Sequence, residues 1–236
     1  MSDPGDGSLV RSEGWEARNM DQLAIRFPDR AEAGRRLGKR LQTMELDDPV
    51  VYALPRGGVP VAVEVAHAIK APLDLIFVRK IGAPGSREVA LGAIVDGKNP
   101  QTVINKEVQR RSHADANYLE KARARELHEL ERRRSRYLGD RAQISAKDKT
   151  AVIVDDGLAT GATMKAALIS MTQQCPKKVC IAVPVAPAEV AKEFESLADE
   201  VVCLNPAQLF FGVGAFYDDF HQLSDEETIG LLQAGR

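Results

Sequence analysis

Short β-branched apolar runs alternate along this chain with longer segments whose apolar residues recur every three or four positions. From Asp29, the residues Ala31, Ala33, Leu37 and Leu41 predict an amphipathic helix, with Arg30, Arg35, Arg36, Lys39 and Arg40 assigned to its wet side. Pro49–Leu54 predicts a strand, ending in Pro55-Arg-Gly-Gly58 and followed by a helix from Val61 to Ile69. After the turn at Ala71-Pro72, Leu73–Arg79 reads as one strand, Lys80–Glu88 as a loop, and Val89–Asp96 with Thr102–Ile104 as a strand pair above the sheet. Residues 106–137 predict one long charged helix with favourable i, i+4 pairs at Glu107–Arg111 and Glu129–Arg133, its basic excess lying on a solvated face. Lys149–Val154, Val179–Pro184 and Glu200–Leu204 predict further strands, with helices over Met164–Met171 and Pro187–Leu197. Strands alternating with helices require a mostly parallel sheet covered on both faces, so the fold class is α/β.

Composition narrows the picture. At 236 residues, the chain suits one large domain with its own core. Residues 1 to about 20, rich in Gly, Ser, Asp and Glu, read as a flexible tail, and 21–236 as the domain. A hydrophobic share of 44% and a formal net charge of −2 argue against a dedicated nucleic-acid binder. No apolar run reaches membrane-spanning length and no signal-peptide core is seen, so a cytoplasmic protein without a membrane partner is expected. Cys175, Cys180 and Cys203 lack metal or disulfide spacing and read as small buried thiols. His67, His113, His128 and His221 do not cluster, and Trp15 sits in the tail.

In open parallel sheets, ligands bind beyond the carboxyl ends of strands. Three loops stand at such ends: Pro55–Gly58, Arg79–Glu88 and Asp155–Thr163. The last follows a buried strand and reads D-D-G-L-A-T-G-A-T before a helix. Glycine lets backbone approach a phosphate, threonine hydroxyls add donors, and a helix N-terminus favours an anion. The adjacent carboxylates need a partner, and sugar hydroxyls with a divalent ion would serve. These residue types in this order point to a sugar phosphate.

The segment resembles the phosphoribosyl pyrophosphate (PRPP) motif of type I phosphoribosyltransferases: apolar residues, two acids, a short spacer, then T-G-x-T. The likeness covers roughly residues 27 to 227. It implies a single domain with a C-terminal hood over 204–227 and a helical insertion over 106–137 that caps the site or forms a dimer surface. It also implies that Asp155 and Asp156 bind the ribose 2- and 3-hydroxyls and hold Mg indirectly, while Thr160, Gly161, Ala162 and Thr163 wrap the 5-phosphate. Leu54-Pro-Arg-Gly-Gly58 resembles the family's pyrophosphate loop, which implies roles for Arg56, Gly57 and Gly58 and a cis peptide preceding Arg56. Arg79-Lys80-x-Gly82-x-Pro84-Gly85 is similar to the flexible loop of adenine phosphoribosyltransferases, one residue shorter, with Arg79 or Lys80 neutralising the departing pyrophosphate. The aromatic stretch Leu204–Phe220 resembles the hood of the 6-oxopurine enzymes, which implies that Phe211 stacks on a base beside Val213 and that Asp218 faces its exocyclic edge.

One position departs. Where the 6-oxopurine enzymes carry an aspartate before T-G-x-T, this chain has Ala159, as adenine enzymes do, and Glu88 is the nearest loop acid to take a proton role. Overall the chain is most similar to stand-alone bacterial phosphoribosyltransferase-like proteins sharing A-L-P-R-G-G-V-P, V-R-K-I-G-A-P-G and D-D-G-x-A-T-G-A-T. The expected activity is a Mg-dependent transfer from PRPP to a planar, purine-like nitrogen base with release of pyrophosphate, by a homodimer. The alternative is a regulatory protein of the same fold that binds PRPP or a nucleotide. A dehydrogenase is disfavoured because no G-x-G-x-x-G follows a strand.

Overall fold

The apolar runs converge on one sheet. A computed structural model describes residues 26–96 and 100–235, with the side chains of Arg87 and Glu88 excepted. The expected 1–20 tail, Trp15 included, lies outside the described residues. The chain enters through helix α1 (Arg30–Leu41), whose N-cap Asp29 accepts from the Glu32 N–H, and then runs β1 (Pro49–Ala53), α2 (Gly58–Ile69) and β2 (Leu73–Leu75). After an excursion come β6 (Thr150–Val154), α5 (Ala162–Thr172), β7 (Lys178–Pro187), α6 (Ala188–Phe194) and β8 (Glu200–Ala207). A 3₁₀ turn (Val213–Phe216) and α7 (Asp225–Ala234) close the chain.

The five strands β2-β1-β6-β7-β8 pair in that order, each pair parallel. Alternate residues face opposite sides, as the two-residue period of a strand dictates. Val51, Ala53, Val152 and Val154 pack with Leu37 of α1 and Val61 of α2. Tyr52 and Ile153 meet Met164 and Leu168 of α5 and Phe194 of α6 on the other face. All five residues of β6 are buried, which its β-branched run T-A-V-I-V had signalled. Sheet order reverses between β1 and β6, so the loops leaving their carboxyl ends face one crevice.

The excursion forms a second sheet, β3 (Val78–Ala83), β4 (Ser86–Val95) and β5 (Gln101–Ile104), paired antiparallel in that order. It corrects two expectations. Leu73–Arg79 is not one strand: the Phe77 N–H is taken by the Asp96 carboxylate at 2.8 Å, and the chain passes from β2 to β3 between sheets. Nor is Lys80–Glu88 a loop, because β3 and β4 run through it and turn tightly at Pro84-Gly85, with Gly85 at φ 74°. The β4–β5 pair is the hairpin expected from Val89–Asp96 and Thr102–Ile104.

The predicted single helix over 106–137 is two, α3 (Lys106–Arg111) and α4 (Ala116–Leu138). The break has local causes: the Ser112 hydroxyl donates back to the Val108 carbonyl at 2.7 Å, His113 takes φ 52°, and Asp115 caps the new helix by accepting from the Tyr118 N–H at 2.7 Å. Nor is α4 only a solvated rod, since Ala122, Glu126, Leu130, Tyr137 and Leu138 are buried. Arg134 reaches inward, donating to Asp96 at 2.6 Å and to Asp74 at 3.1 Å. Asp74, 1% exposed, also accepts from the backbone N–H groups of Leu75 and Ile144, both at 2.8 Å. One arginine thus ties α4 to the middle of β2 and to the residue that follows β4.

No helix among the described residues is long and apolar enough to cross a membrane. All three cysteines are free. Burial pushes the Cys180 thiol up to about 12 and Cys203 to about 11. Of the three thiols expected to be buried, Cys180 is, Cys203 is half-buried, and Cys175 is exposed, with φ 54°.

Candidate active site

The parallel register carries β6 to Val154, level with Ala53 of β1, and leaves Asp155 and Asp156 at the mouth of the crevice. The Asp155 carboxylate accepts the Asp156 N–H at 2.9 Å, which turns the chain. Asp156 is met from α1, where Arg30 Nε donates to its Oδ2 at 2.7 Å with both side chains largely buried. The same guanidinium donates to the His221 carbonyl at 3.1 Å and lies 3.8 Å from the centre of the Phe220 ring. The Tyr217 hydroxyl donates to the Asp156 carbonyl at 2.6 Å. Burial, then the adjacent Asp156 charge, pushes the Asp155 carboxyl well above the usual carboxylate range. Burial raises Asp156 too, but there the Arg30 hydrogen bond and charge oppose it.

The P-R-G-G loop closes the opposite wall, and the Pro55–Arg56 peptide is cis, at the bond expected. A Cβ on Gly57 would fall 2.2 Å from Asp156 Oδ2, and one on Gly58 would fall 2.8 Å from the Val154 carbonyl. Only residues without side chains let the two loops approach so closely. The Gly58 N–H already donates to the Leu54 carbonyl at 3.0 Å, so in this structure Gly58 contributes close packing rather than a free donor. Beyond the carboxylates, Gly161 takes φ 70° and caps α5, and a Cβ there would meet the Phe194 ring at 2.6 Å. Thr160, Ala162 and Thr163 are exposed around that helix end.

Two hollows result. One, of ≈ 370 Å³, is lined by Arg30, Pro55, Arg56, Gly57, Asp155, Asp156, Thr163 and Phe220. The other, of ≈ 190 Å³, is lined by the T-G-A-T turn with Asp155, Gly157, Ala159 and Val213. Asp155 and Thr163 belong to both, so the hollows adjoin.

The chain has known relatives. The model of the phosphoribosyl transferase domain matches residues 30–221. The chain belongs to the phosphoribosyl transferase domain family. Two Mycobacterium tuberculosis proteins, from strains CDC 1551 / Oshkosh and H37Rv and provisionally named phosphoribosyl transferases, are each 46% identical to it over 206 residues. That match covers 87% of this chain and 46% of theirs, so the chain spans about half the length of these relatives. The crystal structure of TT1426 from Thermus thermophilus is 43% identical, with a TM-score of 0.77, over 89% of this chain and 99% of that one.

Within this phosphoribosyl transferase domain, Asp155, Asp156, Arg56, Gly57, Thr160–Thr163 and Val213 gather around the hollows, while Arg79, Lys80, Phe211 and Asp218 line neither. Arg79 is held by Glu126 of α4 through its Nε at 3.0 Å and Nη2 at 2.8 Å. Lys80 is exposed on β3, and Glu88 lies in β4 with its side chain outside the described residues. Phe211 is 79% exposed, and Val213 packs on the D-D-G turn, 2.7 Å from where a Gly157 Cβ would stand. Asp218 is turned to Arg26, at 3.2 Å, rather than toward either hollow. Sequence reasoning missed Arg30, placed on the wet side of α1 but only 8% exposed. The signal was present, because positions 30, 34, 37 and 41 share one helical face, and the last three are buried.

The raised Asp155 carboxyl has a consequence for stability. A folded-state value above the unfolded one means that the folded protein binds more protons between the two, so stability falls as pH rises through that window. Asp155→Asn removes this effect. The variant is expected to melt higher than wild type at pH 7, with the gap closing as pH drops toward about 4, the unfolded carboxylate value. Melting curves that differ by the same amount at every pH would refute this.

Proposed function

We propose that this domain transfers the phosphoribosyl group of PRPP to a planar, purine-like nitrogen base, breaking the C1–oxygen bond to pyrophosphate and forming a C1–nitrogen bond. One observation carries the reading: two adjoining hollows meet at Asp155, one beside a helix N-terminus and threonines, the other beside Arg56 and two carboxylates. That division suits a ligand with phosphate at one end, pyrophosphate at the other, and a diol between them. In this reading the T-G-A-T turn holds the 5-phosphate through backbone N–H groups and hydroxyls. Asp155 and Asp156 accept from the ribose hydroxyls, and Arg56 with Gly57 meets the pyrophosphate. Phe211 and Val213 offer the base an aromatic and an apolar surface. Catalysis rests on holding the groups in line and stabilising the departing charge.

The residues fit a divalent ion that arrives with the substrate. Arg30 compensates Asp156, while Asp155 is raised by burial and repulsion, which is the environment a cation would relieve. No group of three His, Cys, Asp or Glu side chains among the described residues forms a site of its own. Asp155 and Asp156 would hold Mg indirectly, and the ion would neutralise pyrophosphate charge.

The test is calorimetry with PRPP, with and without Mg, on wild type and on Asp155→Asn/Asp156→Asn, followed by pyrophosphate release with a panel of bases. Wild type is expected to bind only with Mg, the double variant to lose at least about tenfold in affinity, and one base class to release pyrophosphate. Equal binding by both proteins sinks the assignment. A second reading, a sensor of PRPP or a nucleotide, is favoured by Ala159, which lines the smaller hollow with no group able to carry a proton. Binding without pyrophosphate release from any base would select it.

A further inference from the structure

Arg56 stands at the mouth of the larger hollow with its side chain 38% exposed. A long, solvated arginine samples many directions, and pointing it consistently at an anion requires an anchor. Its Nη1 lies 3.6 Å from Oδ1 of Asp225, the first residue of α7. Asp225 is itself fixed from α4, because the Tyr137 hydroxyl donates to its Oδ1 and Arg136 Nη1 donates to its Oδ2 at 2.6 Å. Tyr137 is buried and packs edge-on against Phe77, with ring centres 5.6 Å apart. Ser224 and Glu227 form a capping box that sets the start of α7. A rigid chain of contacts therefore runs from the core through Tyr137 and Asp225 to Arg56.

We propose that Asp225 is a positioning residue for Arg56, presented by α4 and α7 so that the guanidinium meets the leaving pyrophosphate in a fixed orientation. This inference rests on the transferase reading above. The distance supports orientation rather than capture: 3.6 Å is too long for a hydrogen bond, so Asp225 steers by charge and leaves the donors of Arg56 available. Arg79 is different, being gripped at 3.0 and 2.8 Å by Glu126.

The sign of the effect makes the proposal testable. Removing a negative charge beside an anion site, with nothing else changed, tightens anion binding. Loss of positioning weakens it. Asp225→Asn keeps the shape and the helix start while removing the charge. The affinity for inorganic pyrophosphate and the KM for PRPP, each measured with Mg, are expected to weaken about fivefold, the upper range for a partly exposed ion pair. The kcat should fall with them, because Arg56 stabilises the departing charge, and the melting temperature should fall modestly as Arg136 and Tyr137 lose a charged partner. Tyr137→Phe, which loosens Asp225 without touching Arg56, should weaken both in the same direction by less. Arg56→Gln combined with Asp225→Asn should bind no worse than Arg56→Gln alone. Unchanged or tighter binding by Asp225→Asn, or additive effects in the double variant, overturns the positioning role while the transferase reading stands. If wild type binds neither pyrophosphate nor PRPP, both fall together.

Discussion

Arg30→Met is expected to remove about 3–5 kcal/mol of stability and most of the affinity for PRPP. The guanidinium is the cation that faces Asp156, at 2.7 Å, with side-chain exposures of 9% and 13%. Methionine of similar length would leave the Asp156 carboxyl without its cation beside Asp155 in a poorly solvated corner, and breaking one side of a buried pair is far more damaging than replacing both. The hood suffers too, because the His221 carbonyl and the Phe220 ring lose the group they contact. Arg30→Lys keeps a charge but not the planar fork, and should recover part of the stability and little of the ligand affinity. Urea unfolding at pH 7 gives the first quantity and calorimetry with PRPP the second. A loss under about 1 kcal/mol, the range of surface pairs, would show that Arg30 does not carry the carboxylate corner.

The second large effect lies away from the cleft. Arg134→Met should cost about 3–5 kcal/mol, because Asp74 and Asp96 would both be left without their cation. Burial already raises Asp96, chiefly against the opposing charge of Arg134. Without Arg134, the Asp96 value rises further, the folded state holds its proton to higher pH, and the loss grows as pH climbs from about 4. Replacing all three residues with apolar ones should restore much of the stability, since a buried ionic group is weak evidence of net gain. Denaturant titrations of the single and triple variants at pH 5 and pH 8 would decide it. Equal losses at both pH values would remove the electrostatic explanation.

How much of this was legible beforehand follows from physical range. The strands of the main sheet could be read because buried β-branched runs are a local signal, and β6 is buried throughout. The D-D-G-L-A-T-G-A-T and P-R-G-G loops were legible because glycine and carboxylate requirements are written at single positions. Arg30 escapes a local reading because its charge argues for solvent while its partner Asp156 lies 126 residues away. The split of Leu73–Arg79 could not be seen locally, since the Phe77 N–H is diverted by Asp96, 19 residues on. The break before α4 was readable in principle, with Asp115 as a capping residue three positions before Tyr118. The hood shows the opposite limit: its aromatic density was plain, but whether Asp218 faces a base or Arg26 depends on how the chain folds back, which no local pattern encodes.

The reversal of sheet order between β1 and β6 has a further consequence, for assembly. Val51 pairs with Val152 across a hundred intervening positions, and Tyr217 returns to Asp156 from 61 residues downstream. Neither wall of the cleft exists on a partial chain. Closing such spans slows folding more than it weakens the finished protein, because the entropy of a loop grows only with the logarithm of its length. On a ribosome, the segment through β5 would emerge with β1 and its glycine loop still lacking the neighbour that gives them purpose.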